Sequence, residues 1–454
     1  MTVMDATTDK AAVALREPID TIERVFDRLW PLPRSITGKG VRETHAILSE
    51  LVPLERIEVP SGTQAFDWTV PKEWVVREAH VVAPDGRRLL DFAENNLRLV
   101  NYSAPFRGRL SRQALDAHLH SRPDLPDAIP YVTSYYAPRW GFCLSERERR
   151  ALLDGDYEVV VDTDFVDGAL TLSEAVLPGE EKAEILISAY TCHPSLANNE
   201  LSGPIAAAFL YRRLAAWPER RLTYRFVFAP ETIGAIAYLA LRGKHLRDTL
   251  VAGYVVTCVG LDTHFTYKRS RRGDSLADRA ALHSLRHLGT PHELRDFCPT
   301  GSDERQYCSP GFDLPVGSLM RGVYGEYPEY HTSLDDKRLV SFTALQGSVD
   351  AYEAICRALD QNLTFRNLFP FGEPQLGRRG LYPTLGTADQ SLQIAPMMWV
   401  LNLSDGRHDL LAIAERSGLP IGLLWQAARA AEEKGVIERC ALQTMSEAPV
   451  DDRH

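Results

Sequence analysis

Residues 183–217 read AEILISAYTCHPSLANNELSGPIAAAFLYRRLAAW, and the fold turns on how this stretch is parsed. Ala183–Tyr190 is an apolar run of strand length that ends at Thr191-Cys192-His193, and a loop rich in Asn, Ser and Gly follows. Gly203–Trp217 then reads as a helix. Pro204 suits its first turn, where no amide partner is lost, and Ala206, Leu210, Leu214 and Trp217 share one face.

The same rhythm continues downstream. Leu222–Phe228 is a strand ending at Ala229-Pro230-Glu231, Ile233–Leu246 a helix, and Val251–Val259 a strand ending at Gly260-Leu261-Asp262. Strands alternating with helices of this length predict an α/β domain with a mostly parallel, doubly covered sheet, beginning at about residue 156. In such sheets ligands bind outside the carboxyl ends of the strands. Three successive strand ends deliver His193, Glu231 and Asp262, and a loop of polar and aromatic groups, Tyr324–Thr332, carries His331. Imidazole with carboxylate suits Zn²⁺, whose catalytic sites use three protein ligands and one open position. A nearby carboxylate outside the ligand set can then take a proton from water. Each residue also has a plainer reading. Glu231 can stabilise a helix N-terminus, Asp262 can cap a turn, Cys192 can be a small buried residue, and Glu200 can be a solvated loop charge.

Working outward, residues 15–52 read as helical, with Ile19, Ile22, Val25, Phe26 and Leu29 at helical spacing before Pro31. Residues 57–155 read as a β-rich insertion. Trp68–Val70, Trp74–Val82 and Arg87–Asp91 are candidate strands broken by Pro71 and by Pro84-Asp85-Gly86, and Pro-rich loops follow. At the other end, Ser404-Asp405 can cap a helix over 407–416. A turn at Gly418-Leu419-Pro420, a second helix to Lys434 and a strand over Val436–Ala441 complete a winged helix-turn-helix at 390–450. Residues 395–454 hold six Lys/Arg against nine Asp/Glu, net −3, so a packing or dimerisation module giving a homo-oligomer is favoured over a nucleic-acid reader.

The totals set the limits. The chain has 454 residues, 44% hydrophobic and 25% charged, which excludes wholly disordered and disulfide-scaffold classes. A net charge of −10 gives no general attraction to nucleic acid or anionic membrane. No apolar run reaches membrane-spanning length, and Met1–Lys10 lacks the pattern of a signal peptide. The seven scattered cysteines fit reduced thiols, and a cytoplasmic location is expected.

The motifs resemble those of the co-catalytic zinc exopeptidases, the leucyl aminopeptidase and glutamate carboxypeptidase relatives. Thr191-Cys192-His193-Pro194 with Ala197–Gly203 is similar to their first metal motif, Ala229–Gly234 to their Glu-Glu-x-Gly segment, and Tyr330-His331-Thr332 to their closing histidine. The arrangement most resembles a bacterial aminopeptidase-like family of unknown function with a β-rich insertion and a C-terminal winged helix. The resemblance implies a split catalytic domain at 15–56 and 156–375. Within it Glu231 is general base and His193, Asp262 and His331 are metal ligands, with Glu200 a further candidate. Asn199 stands where the family has a bridging aspartate, and Thr232 where it has a second glutamate. Both losses remove negative charge, so one Zn²⁺ is expected rather than two. Pro299–Arg305 resembles a segment close to substrate in these enzymes. Asp303 is then a candidate for a substrate amine, Arg305 for a carboxylate, and Tyr327 or Tyr330 for the oxyanion, with Asn199 nearby. The implied activity is zinc-dependent hydrolysis of a peptide or amide bond in a small peptide or an N-acyl or aminoacyl metabolite. The alternative is a catalytically weak ligand-binding regulator or scaffold with a winged-helix output.

Overall fold

The computed structural model describes residues 16–381 and 390–440. They fall into two compact units, one within Met1–Asp278 and Thr290–Glu353, the other within Arg279–Gly289 and Ala354–His454. Along the chain come helices α1 (Ile19–Leu29) and α2 (Lys39–Leu48), then strands β1 (Glu55–Pro60), β2 (Glu73–Val82), β3 (Phe106–Ser111), β4 (Asp156–Val166), β5 (Ala169–Leu177) and β6 (Glu184–Tyr190). Next are α3 (Ser202–Ala215), β7 (Thr223–Ala229), α4 (Ile233–Thr249), β8 (Leu250–Val255), β9 (Phe265–Lys268), α5 (Leu276–Leu288), β10 (His292–Arg295), β11 (Val316–Met320) and α6 (Phe342–Gln361).

Eight strands form the main sheet in the order β1-β5-β7-β6-β8-β11-β9-β10. The central four, β7, β6, β8 and β11, are parallel, while β5 runs antiparallel to β7 and β9 antiparallel to β11. The sheet is therefore mixed, with a parallel centre and a second parallel pair, β9 and β10, at one edge. Every residue of β6 and β7 is buried, as expected for strands covered on both faces. Strand β6 lies between β7 and β8, its two successors in the chain, so the crossovers through α3 and α4 run in opposite directions. Right-handed crossovers then put these helices on opposite faces and open a crevice at the carboxyl end of β6. Helix α3 approaches closely there. A Cβ on Gly203 would lie 2.2 Å from the Val256 carbonyl oxygen, so only glycine fits.

The insertion is offset from its expected bounds. Strand β1 pairs with β5 in the main sheet, from Glu55↔Glu174 to Pro60↔Ala169. Strand β4, expected to open the α/β domain, instead pairs antiparallel with β2 and β3. The inserted segment thus lies between Pro60 and Ala169 rather than at 57–155. Its sheet and the main sheet share one apolar core, in which Trp74, Val81, Val159 and Val161 meet Leu170, Leu172 and Leu186.

In the second unit β12 (Thr364–Asn367) pairs antiparallel with β13 (Asp405–Asp409) and β14 (Ile437–Arg439), alongside helices α7 (Gln390–Leu403), α8 (Leu410–Ser417) and α9 (Ile421–Glu433). The domain begins before residue 390 because β12 belongs to its sheet. Asp405 starts a strand, not a helix, and the N-cap of α8 is Asp409, whose carboxylate accepts the Ala412 amide at 2.7 Å. The expected strand over 436–441 is described only to Cys440; Ala441 and the residues after it lie outside the described residues.

Candidate metal centre

His193 follows the end of β6, and the chain then makes one turn of π-helix, Ala197–Leu201, before α3. Such turns recur at functional sites because they re-aim side chains within a helical run. This one carries Asn198, Asn199 and Glu200, all buried. Its amides are held from the far side of the site. Asp335 accepts the Asn198 amide at 2.6 Å and the Asn199 amide at 2.9 Å, and Tyr327 donates to the same carboxylate at 3.2 Å. Burial pushes the Asp335 carboxyl up to about 6, with these hydrogen bonds opposing.

Glu200 Oε2 lies 2.8 Å from His193 Nδ1, and Glu231 Oε2 lies 3.6 Å from His193 Nε2. The two carboxyl groups bracket the ring. Behind it, fully buried Arg34 donates through Nε to the His193 carbonyl oxygen at 2.8 Å and through Nη1 to Leu29 at 2.6 Å. The His331 ring centroid is 5.3 Å from that of His193, and the Tyr131 ring is 5.0 Å from His193 and 5.2 Å from His331. The Tyr131 amide donates to the His331 carbonyl oxygen at 2.7 Å, so the insertion itself fixes the second histidine. Cys192, His193, Glu231 and His331 all line a cavity of about 370 Å³, whose other walls include Trp68, Tyr131, Tyr135 and Tyr136 of the insertion.

The electrostatics favour neutral imidazoles. Burial holds His193 down at about 3, with Arg34 adding to the effect, and burial with His193 as neighbour does the same to His331. Burial pushes Glu200 up to about 8 against the pull of Arg34. Glu231 is raised well above the usual carboxylate range by burial and by Asp303, with Arg305 opposing. Strain gathers here too: Thr232 has φ 64°, His331 φ 55° and Cys258 φ 51°, none of them glycine.

Several expected residues take other places. Asp262 is exposed, with its charge beside Arg321, and does not join the cluster. The reason is that β8 stops at Val255, so Thr257 and Cys258 occupy the strand end. Both contact Asn199: the Thr257 hydroxyl donates to the Asn199 carbonyl oxygen at 3.1 Å, and Asn199 Nδ2 lies 4.0 Å from Cys258 Sγ. Asn199 Nδ2 also donates to Tyr190 at 2.8 Å. Asp303 accepts the Thr232 amide at 2.7 Å, and Arg305 donates to the Thr232 hydroxyl at 3.0 Å. Both therefore hold the turn after Glu231, and neither is among the residues lining the cavity. Tyr327 is engaged with Asp335, and Tyr330 stacks flat on His331, with centroids 4.0 Å apart. Arg34, Tyr131 and Asp335 were not singled out from the sequence. Only Asp335 offered a signal, as an acid four residues beyond His331.

The donor set suits a divalent metal of the zinc type. His331 Nε2 and Asn199 Oδ1 are buried and have no hydrogen-bond partner, while Glu200 Oε1 has only the Arg34 guanidinium, at 3.8 Å. Unpartnered buried acceptors carry a desolvation penalty that a cation removes. Donor atoms of Cys192, His193 and Glu200 also lie within 4.8 Å of one another. That grouping sits on the Nδ1 side of His193, however, whereas the open side, required for catalysis, is the cavity shared by His193, Glu231 and His331.

Fold and site together define an aminopeptidase-like α/β protein with a C-terminal winged helix. A zinc aminopeptidase from Bacillus subtilis superposes with a TM-score of 0.54 over 74% of this chain and 93% of its own, at 14% identity. The chain belongs to the domain-of-unknown-function family DUF4910, which matches residues 23–362, and a winged helix-turn-helix family matches residues 363–439. A Clostridium acetobutylicum protein, named provisionally for polysaccharide biosynthesis and for an aminopeptidase-like domain, is 43% identical over 410 residues, 90% of this chain and 94% of its own. A crystal structure from the same organism, provisionally named a peptidase, matches with a TM-score of 0.88 at 41% identity, over 95% of this chain and 99% of its own.

Proposed function

We propose that this protein is a metal-dependent hydrolase of a peptide or amide bond in a small substrate, holding one Zn²⁺. The observation that carries the reading is the convergence of two neutral imidazoles, His193 and His331, with the Glu231 carboxyl on one cavity, where His331 Nε2 lacks any partner. The zinc of the Bacillus enzyme and the aminopeptidase-like name of the Clostridium protein support it. When bound, the ion supplies Lewis-acid polarisation of the scissile carbonyl and lowers the pKa of water.

His193 and His331 would supply two of the protein ligands that hold the metal. Glu200 holds His193 from behind, the relation in which a carboxylate fixes ring orientation and raises ligand basicity. Glu231 takes the proton of the attacking water and returns it to the leaving nitrogen. Asp303 and Arg305 keep the Glu231–Thr232 turn in place. A single ion follows from the neutral side chains of Asn199 and Thr232, which cannot offset the repulsion between two cations. The C-terminal domain, acidic overall, serves packing or self-association in this reading.

Metal content of the purified full-length chain tests it, by inductively coupled plasma mass spectrometry. About one zinc per chain in wild type and almost none in His193→Ala is the expected result. A metal-free wild type that stays inert toward amides after Zn²⁺, Mn²⁺ or Co²⁺ is added leaves the ligand-binding regulator as the better account.

A further inference from the structure

Resting on the hydrolase reading above, we infer that the cavity takes an amide whose acyl side is uncharged and aromatic or apolar, an N-acyl compound, and discriminates against a free α-ammonium group. Six residues with apolar or aromatic faces make up half of its lining: Ile36, Trp68, Tyr131, Tyr135, Tyr136 and Ile233. Two of the hydroxyls that could recognise a polar group are already paired. The Tyr131 and Tyr135 hydroxyls lie 2.9 Å apart, and Tyr135 donates onward to Asn101 Oδ1 at 3.2 Å. What these two tyrosines offer a ligand is therefore their rings. Trp68 and Tyr136 are the exposed members of the lining, 37% and 49% accessible, set edge to face with centroids 5.2 Å apart. This is an aromatic pair arranged to receive an apolar or planar group.

The charges point the same way. Among the described residues Glu231 is the only Asp or Glu on the cavity wall. The neighbouring acids are turned elsewhere, Glu200 to His193 Nδ1 and Asp303 to the Thr232 amide. A substrate ammonium would find a counter-charge among these lining residues only in the carboxylate that must act as base, and the Zn²⁺ of the reading above would repel it. Among the described residues no Lys or Arg lines the cavity either, so a substrate carboxylate at the acyl side would find no protein cation and could only compete with the scissile carbonyl for the metal. A volume of about 370 Å³ lies at the small end of ligand cavities.

The test is a matched pair with the full-length zinc-loaded chain: 3-phenylpropionyl-p-nitroanilide against L-phenylalanyl-p-nitroanilide, which differ only by the α-ammonium. The expected kcat/KM ratio is about tenfold or more in favour of the phenylpropionyl compound. Calorimetric binding of 3-phenylpropionamide against L-phenylalaninamide supplies a second readout that needs no turnover, with a preference of similar size expected. Trp68→Ala is expected to weaken phenylpropionamide binding by about tenfold, given the aromatic contact it removes. Equal or better handling of the amino compound in either readout overturns the inference, as does failure of both amides to bind. Turnover of neither anilide, with the binding preference intact, instead overturns the hydrolase reading and leaves the cavity assignment standing.

Discussion

Two buried histidine environments in the same unit look alike by the usual measures and differ in one respect. His45 is fully buried and held down at about 3 by burial, with Arg56 adding to the effect; His193 and His331 sit at the same value. Burial and a depressed pKa thus do not separate a structural histidine from a functional one. Hydrogen-bond satisfaction does. His45 meets the Ser173 hydroxyl at 2.8 Å through Nδ1 and the Thr191 hydroxyl at 2.9 Å through Nε2, so both ring nitrogens are occupied by neutral partners. His331 Nε2 has no partner, and His193 Nε2 has only a carboxylate at 3.6 Å. Thr191, two residues before His193, belongs to the satisfied environment, so the boundary between scaffold and site falls within three residues of chain.

The comparison breaks most sharply on metal content. His193→Ala and His331→Ala are each expected to abolish zinc binding, whereas His45→Ala retains about one ion per chain. The latter costs stability instead, about 1–3 kcal/mol for hydroxyls left buried and unpaired, read from urea denaturation. Loss of zinc in His45→Ala would show that partner satisfaction is not the distinguishing feature.

Glu231→Gln sharpens the role of the carboxylate beside His193 Nε2. The amide keeps the shape and removes the base. Hydrolysis is expected to fall by about 10²–10⁴-fold while zinc content stays at the wild-type level. If zinc is lost as well, Glu231 is a ligand rather than the base. Glu200→Gln probes the contact on the other side of the ring. Because Glu200 acts through His193, zinc affinity is expected to fall by roughly 10–100-fold without vanishing, measured by competition with a chromogenic chelator. An unchanged affinity would remove Glu200 from the site.

What the chain revealed before its structure follows from range. His193 and Glu231 were legible because each directly follows an apolar strand, and His331 because its loop is dense in polar aromatic groups. The winged helix was legible from local signals, a Gly418 turn and a Gly435 stop. Asp262 misled because the apolar run continues to Val259 while the hydrogen-bonded strand ends at Val255. Past that point the chain turns, with Cys258 at positive φ, and Asp262 is carried to the surface. Arg34 could not be read, and Asp335 only as an acid close to His331, because their partners at His193 and Asn198 lie more than a hundred residues away. Tyr131 is tied to His331 by a main-chain bond that no side-chain pattern encodes.

The smallest effect is a proton-linked one, and it tests the satisfied histidine directly. His45 has a folded-state pKa of about 3 against an ordinary value of 6.5. Between those values the unfolded chain binds a proton that the folded chain refuses, so stability falls as pH is lowered from about 6.5 toward 3. One such group contributes a slope of about 1.4 kcal/mol per pH unit at most. His45→Gln removes the titration while leaving a side chain able to meet Ser173 and Thr191. The raised carboxyls Glu200, Asp303 and Asp335 contribute with the opposite sign, but they are common to both chains and cancel in the difference. Wild type should therefore lose roughly 1 kcal/mol relative to His45→Gln between pH 6 and pH 5, measured by urea denaturation at each pH. Parallel stability curves for the two chains would mean that His45 takes up its proton in the folded state. Its hydroxyl partners would then be accommodating a charge, and the contrast with His193 and His331 would lose its physical basis.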